Sequence, residues 1–187
     1  MNIGLPLILG LALAQAPNQT PNEPVRVGGS IKEPKKLKTE NPSYPEEARR
    51  AGLRGNVVLE CLVDTKGIVA DVRVVSGVPP LTDAATRAVK KWRYTPLLSN
   101  GSPLPFIVTV TIVFGGQIEL RTSDLLRSLT NKNEYIRAAA VFWLGRAQLS
   151  GDDLLRVSHR LKALAEHDDS ERVRAAAVGA IAMLEAK

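Results

Sequence analysis

GNVVLECLVDTKGIVADVRVV, residues Gly55 to Val75, decides the fold class of this chain. Val57, Leu59, Cys61 and Val63 share one face by two-residue alternation. Val58 and Leu62 are apolar on the other face, interrupted by Glu60 and Asp64, so the strand is expected to sit centrally in its sheet. Asp64-Thr65-Lys66-Gly67 is a tight-turn signal, with Gly67 free to take positive φ. The following run puts Ile68, Ala70, Val72 and Val74 on one face and Asp71 and Arg73 on the other. The stretch therefore reads as a β-hairpin with one face packed.

Outward from the hairpin, Pro79 and Pro80 end the second strand. Leu81, Ala85, Ala88 and Trp92 then recur at three- and four-residue steps, which predicts an amphipathic helix. Thr82 is its expected N-cap, and Asp83 stands near the positive end of the dipole. Lys90, Lys91 and Arg93 occupy the expected last turn, and Pro96 stops the helix. A final strand alternates Phe106, Val108, Val110, Ile112 and Phe114 against Ile107, Thr109, Thr111 and Val113. Before the hairpin, Pro45-Glu46-Glu47-Ala48-Arg49-Arg50 predicts a short helix with Pro in its first turn and Gly52 beyond its end. Helix, strand, strand, helix, strand is a small α+β domain.

Ser43-Tyr44-Pro45-Glu46-Glu47-Ala48-Arg49, Gly55-Asn56-Val57, Asp64-Thr65-Lys66-Gly67 and Lys91-Trp92-Arg93-Tyr94-Thr95-Pro96 together resemble the TonB C-terminal domain family. The combination is far more specific than any one piece, its spacing fits, and it covers residues 35 to 114. The resemblance implies a three-stranded antiparallel sheet with two helices, a periplasmic location and no catalytic activity or cofactor. It implies binding of a short extended segment, the TonB box, of outer-membrane receptors. The receptor segment would add alongside the last strand, at Phe106, Ile107, Val108, Thr109, Val110, Thr111, Ile112 and Val113, helped by Asn41 in the polar loop before Tyr44. An inner-membrane proton-channel motor would be a further partner of a complete energy transducer. No nucleic acid or small-molecule substrate is implied.

The physics of strand addition is legible without the family. An edge strand offers unpaired N–H and C=O groups at every second residue, and an extended peptide satisfies them with little demand on its own sequence. Two states of that edge fit the residues: it is free, or Val25 to Ile31 or the linker lies on it as an intramolecular strand.

Ile3 to Ala14 is a short apolar run ending in Ala12-Leu13-Ala14, which reads as a secretory signal peptide over residues 1–14 with a linker at 15–24. An uncleaved anchor or a frayed cytosolic start is the alternative. A TonB energy transducer resembles a rod, with a membrane-spanning anchor bearing a histidine and a long Pro-rich spacer. Here the run lacks His, and a linker of ten residues reaches at most ~36 Å. Asn41 also stands where the family often has Gln.

After a Gly-containing break at Gly115-Gly116-Gln117, which separates residues 25–116 from 122–187, the pattern becomes helical and Ala-rich. Glu134 to Val141 aligns with Glu171 to Val178 at an offset of 37 residues. This resembles the HEAT repeat, in which small residues let helices approach closely. Two copies fall below the three or so needed for independent stability, so the helical region is expected to pack on the first domain. It is either a protein-docking surface, making the protein a structural envelope scaffold, or a stabilising cap.

Composition excludes several classes. The 187 residues are 44% apolar and 24% charged, which rules out disorder throughout. One cysteine excludes an internal disulfide framework, and Cys61 reads as a buried small hydrophobe. His159 and His167 have no third ligand at metal spacing and read as helix-surface residues. Gly28-Gly29-Ser30 lacks the Lys of a phosphate loop and reads as a turn. Aromatics are only 4%, too few for nucleic-acid stacking platforms. The net charge of +6 resides in Pro24 to Arg121, where fifteen Lys and Arg face nine Asp and Glu. It would attract acidic segments or anionic envelope polymers.

Overall fold

Two-residue alternation is realised where it was strongest. Val57, Leu59, Cys61 and Val63 are fully buried, while Val58, Glu60 and Leu62 are half-exposed on the opposite face. Burial of each large apolar side chain contributes ~1.5–3 kcal/mol relative to exposure. The computed structural model describes residues 23–28, 31, 33–116 and 119–186. The expected signal peptide and nearly all of the linker lie outside the described residues.

Strands β1 (Val25–Arg26) and β2 (Lys36–Lys38) precede helix α1 (Glu46–Arg50). The hairpin is β3 (Gly55–Val63) and β4 (Val69–Ser76), followed by α2 (Leu81–Val89). Short strands β5 (Arg93–Tyr94), β6 (Leu97–Ser99) and β7 (Ser102–Leu104) lead into β8 (Phe106–Phe114). Four helices follow: α3 (Thr122–Ser128), α4 (Glu134–Arg146), α5 (Gly151–His167) and α6 (Glu171–Glu185). The fold is mixed α+β with an all-helical C-terminal region.

The main sheet has the order β1-β8-β3-β4. Its three long strands are antiparallel, with β3 central, as the two-sided apolar pattern predicts. The expectation of three strands is corrected by β1, which pairs parallel with β8 through Val25↔Phe106 and Arg26↔Ile107. Two residues cannot display a period, so only the tertiary contact reveals this strand. Two further pairs, β2 with β5 and β6 with β7, form separate two-stranded sheets.

Two local expectations are corrected as well. A register shift between Leu62 and Val63 sets Val69 opposite Val63 and Val72 opposite Cys61, three residues against two. This bulge leaves Val69 buried and Val72 half-buried on the packed side of β4, whereas Ala70 and Val74 are exposed. Helix α2 begins at Leu81 with Pro80 at the N-cap, leaving Thr82 inside the helix and buried. It ends at Val89, so Trp92 lies beyond it, anchored by an indole N–H donated to the Glu40 carbonyl at 2.9 Å.

The turn at Asp64 forms as its residues require. The carboxylate accepts from the Lys66 and Ile68 N–H groups at 2.9 and 2.8 Å, and Gly67 takes φ +80°. A Cβ at Gly67 would stand 2.0 Å from the Tyr94 carbonyl oxygen, so this position also admits β5.

The helical region packs on the first domain, and one continuous apolar core runs through both. The Trp143 indole donates to the Gly52 carbonyl at 3.0 Å, and Asn131 donates to Glu47 at 2.9 Å. Close approach of α4 and α6 rests on small residues: a Cβ at Gly145 would meet the Ala180 Cα at 2.8 Å. Asn133 and Ser170 cap α4 and α6, and they too stand 37 residues apart.

Candidate functional site

Beyond β1, strand β8 lies along one side of the main sheet and β4 along the other, and the two faces of β8 are chemically distinct. Phe106, Val108, Val110 and Phe114 are buried against the helices, whereas Thr109, Thr111 and Val113 are exposed. Backbone direction alternates in step. The Pro105 and Ile107 carbonyls accept from the N–H groups of Val25 and Val27 at 3.0 and 2.9 Å, so odd-numbered residues of β8 point away from β3. Continuing the alternation, Thr109, Thr111 and Val113 direct N–H and C=O to the same side.

Beyond Ile107 the covering strand departs. Gly28 and Ile31 form a bridge with each other, with the Ile31 N–H donating to the Gly28 carbonyl at 3.2 Å, while Gly29 and Ser30 of the expected turn lie outside the described residues. No described strand pairs with residues 108–114 on the outer side. Among the described residues, the edge is thus covered by β1 up to Ile107 and unpaired beyond it. Val113, 70% exposed, is an unusually apolar residue for an unprotected edge.

The sequence-derived site residues divide accordingly. Ile107 has its outward carbonyl occupied by Val27. Phe106, Val108, Val110 and Ile112 spend their backbone groups on β3, so they shape the edge without offering it bonds. Thr109, Thr111 and Val113 carry the open groups. Asn41 is exposed in the loop between Glu40 and α1, and no hydrogen bond or ion pair ties it to β8.

Neighbouring groups hold this edge in place. Arg26 reaches across β8 to Glu60 on β3 at 2.6 Å, and Arg73 on β4 pairs with the same carboxylate from the other side. Those hydrogen bonds keep the Glu60 carboxyl below its ordinary range. At the far end the Tyr44 ring meets Phe114 edge-on at 5.3 Å, and its hydroxyl donates to the Leu53 carbonyl at 2.5 Å. The Tyr-Pro motif thereby ties the start of α1 to the end of β8. Sequence reasoning missed the Arg26–Glu60–Arg73 bridge, because its members come from three strands.

Residues 40–115 match the family described as Gram-negative bacterial TonB protein C-terminal. The match supports a TonB C-terminal domain over that segment, and the helical region lies outside it. Protein TonB of Vibrio cholerae is 29% identical over 108 residues, covering 52% of this chain and 44% of that protein. Protein TonB of Yersinia enterocolitica is 28% identical over 89 residues, covering 46% and 33%. The chain therefore spans less than half the length of these curated relatives. The solution NMR structure of the Pseudomonas aeruginosa TonB CTD is 28% identical, with a TM-score of 0.40, over 51% of this chain and 96% of that one.

Burial pushes the Cys61 thiol up to about 12, so it stays protonated and unreactive at neutral pH. Among the described residues no three His, Cys, Asp or Glu side chains gather as metal ligands, and no helix is long and apolar enough to cross a membrane.

Proposed function

We propose that this TonB C-terminal-like domain acts in the periplasm by binding extended peptide segments of outer-membrane receptors or other envelope proteins through strand addition, in support of transmembrane transport. The observation that carries the reading is the outward-facing backbone of Thr109, Thr111 and Val113, which no described strand pairs with where β1 departs. A peptide of about five residues would satisfy these groups, with main-chain bonds supplying affinity. Recognition through the backbone lets one module serve several partners. The basic surplus of the domain favours acidic segments at low ionic strength. A longer peptide would displace β1 and continue toward Pro105.

Thr111→Pro tests this. Its N–H faces outward, so proline there costs the β3 ladder no hydrogen bond. Titration of the labelled protein with a TonB-box peptide should shift the amides of residues 108–114 in the parent. The variant should lose binding while keeping its helical circular dichroism. Thr109→Pro should behave alike. Undiminished binding by both variants would exclude strand addition at this edge.

A further inference from the structure

The helical region carries a groove that strand addition leaves unused. Helix α3 packs on α4, α4 on α6 and α6 on α5, which leaves α3 and α5 flanking a cleft. Seven residues of α3 cannot cover the seventeen of α5. Two cavities of about 650 and 370 Å³ result, and Arg160 lines both, so they form one trough. It follows α5 from Leu155 to His167, about 18 Å at the helical rise, which is the length of a three-turn helix.

Leucines and arginines line the end of the trough nearest Leu155, and Asp168 and Asp169 line the other end. Leu126 is half-buried, and Leu155 is 70% exposed at the mouth with no apolar cover. Arg156, His159, Arg160 and His167 all project from α5 into the lining, so both histidines of the chain are here. The nearby carboxylates are engaged. Asp168 and Asp169, which line the far end of the trough, pair with Arg137, Asp153 stands 3.6 Å from Arg156, and Glu166 stands 3.5 Å from His167. Arg160 makes no ion pair among the described residues. At the end lined by Arg156 and Arg160 an occupant is therefore favoured by carboxylates on its flank beside an apolar ridge.

We propose that this groove docks an acidic amphipathic helix of a partner protein, seating a large aliphatic side chain between Leu126 and Leu155 and carboxylates against Arg156 and Arg160. Helix-in-groove recognition uses anchors at i, i+3/i+4 and i+7, which the length of the trough accommodates. The surface is separate from β8, so its occupation is independent of peptide capture at the sheet edge.

The test uses the full chain and a fluorescent synthetic helix of about 14 residues, with Leu at i, i+4 and i+7 and Glu beside them. This probe should bind at low ionic strength and shift the amides of residues 126–130 and 155–167. Arg156→Glu combined with Arg160→Glu should weaken it about tenfold or more, and should gain binding of a matched Lys-bearing helix. That gain also shows that the doubly substituted protein is folded. The proposal is overturned if the acidic helix does not bind, if charge reversal leaves its affinity unchanged, or if a scrambled acidic peptide binds equally well. Adsorption to phosphatidylglycerol vesicles through the same arginines, without binding of the helix, would assign the groove to a membrane surface instead and equally overturn it.

Discussion

Arg137 shows how much one side chain organises in the helical region. It is 8% exposed, and its guanidinium makes a two-pronged contact to Asp168 at 2.9 and 2.8 Å while donating to the Asn131 carbonyl at 2.8 Å. Its repeat counterpart, Arg174, donates to the Asp168 carbonyl at 2.6 Å. Both arginines thus converge on the turn before α6. Arg137→Ala would leave the buried Asp168 carboxylate without its partner, at an expected cost of about 3–5 kcal/mol in denaturant unfolding. Burial opposes ionisation of Asp168, yet hydrogen bonds from Arg137 and the Ser170 N–H hold its carboxyl below the ordinary value. A lowered folded pKa means the stabilisation is fully present above the unfolded value near ~3.9 and is lost as pH falls through the folded one. Acid titration followed by circular dichroism should therefore show the helices loosening below pH ~4, and Arg137→Ala should remove that dependence. A parent helix signal flat down to much lower pH would refute the assignment.

At the scale of elements, β1 and β8 set how much edge is available. Strand β1 is held by its two-residue parallel ladder to β8 and the Arg26–Glu60 pair, a modest set for a segment that must be displaced by a long peptide. Val27→Pro removes the N–H that binds Ile107, which should weaken the cover by ~0.5–1.5 kcal/mol. A peptide long enough to reach Pro105 should then bind up to about tenfold tighter, while one confined to residues 109–113 should be unaffected. Isothermal titration of the two peptides separates these outcomes; equal gains for both would mean that β1 does not compete. The long strands were legible because β3 and β8 each run nine residues with an unbroken alternation. Helix α2 was legible as a helix but not in its ends. Thr82 has the chemistry of a cap, but Pro80 takes that position and Thr82 is buried inside the helix.

At the scale of the molecule, the two regions are joined around Gly52. Its φ of +66° disfavours any side chain, and a Cβ would stand 2.5 Å from the Trp143 Nε1 that its carbonyl holds. The Arg54 guanidinium covers the other part of that indole at 5.2 Å. Gly52→Ala should cost about 2–3 kcal/mol through backbone strain and loss of this contact. Calorimetry should then resolve two transitions, one for the sheet and one for the helices, where the parent shows one. A single transition in the variant would mean that the coupling does not depend on the Gly52–Trp143 contact.

The sequence by itself determined the hairpin, the terminal strand, the α+β class and the internal 37-residue repeat, because each is written as a local period or an alignable motif. Only the tertiary structure decided how much of the β8 edge stays open. That depends on where two residues of β1 land, and so short a segment has no period to read. The pairing of Arg26 and Arg73 on Glu60, the convergence of Arg137 and Arg174 on Asp168, and the cationic groove beside α5 were hidden for the same reason. Each joins residues distant in the chain whose meeting depends on how strands and helices are placed side by side.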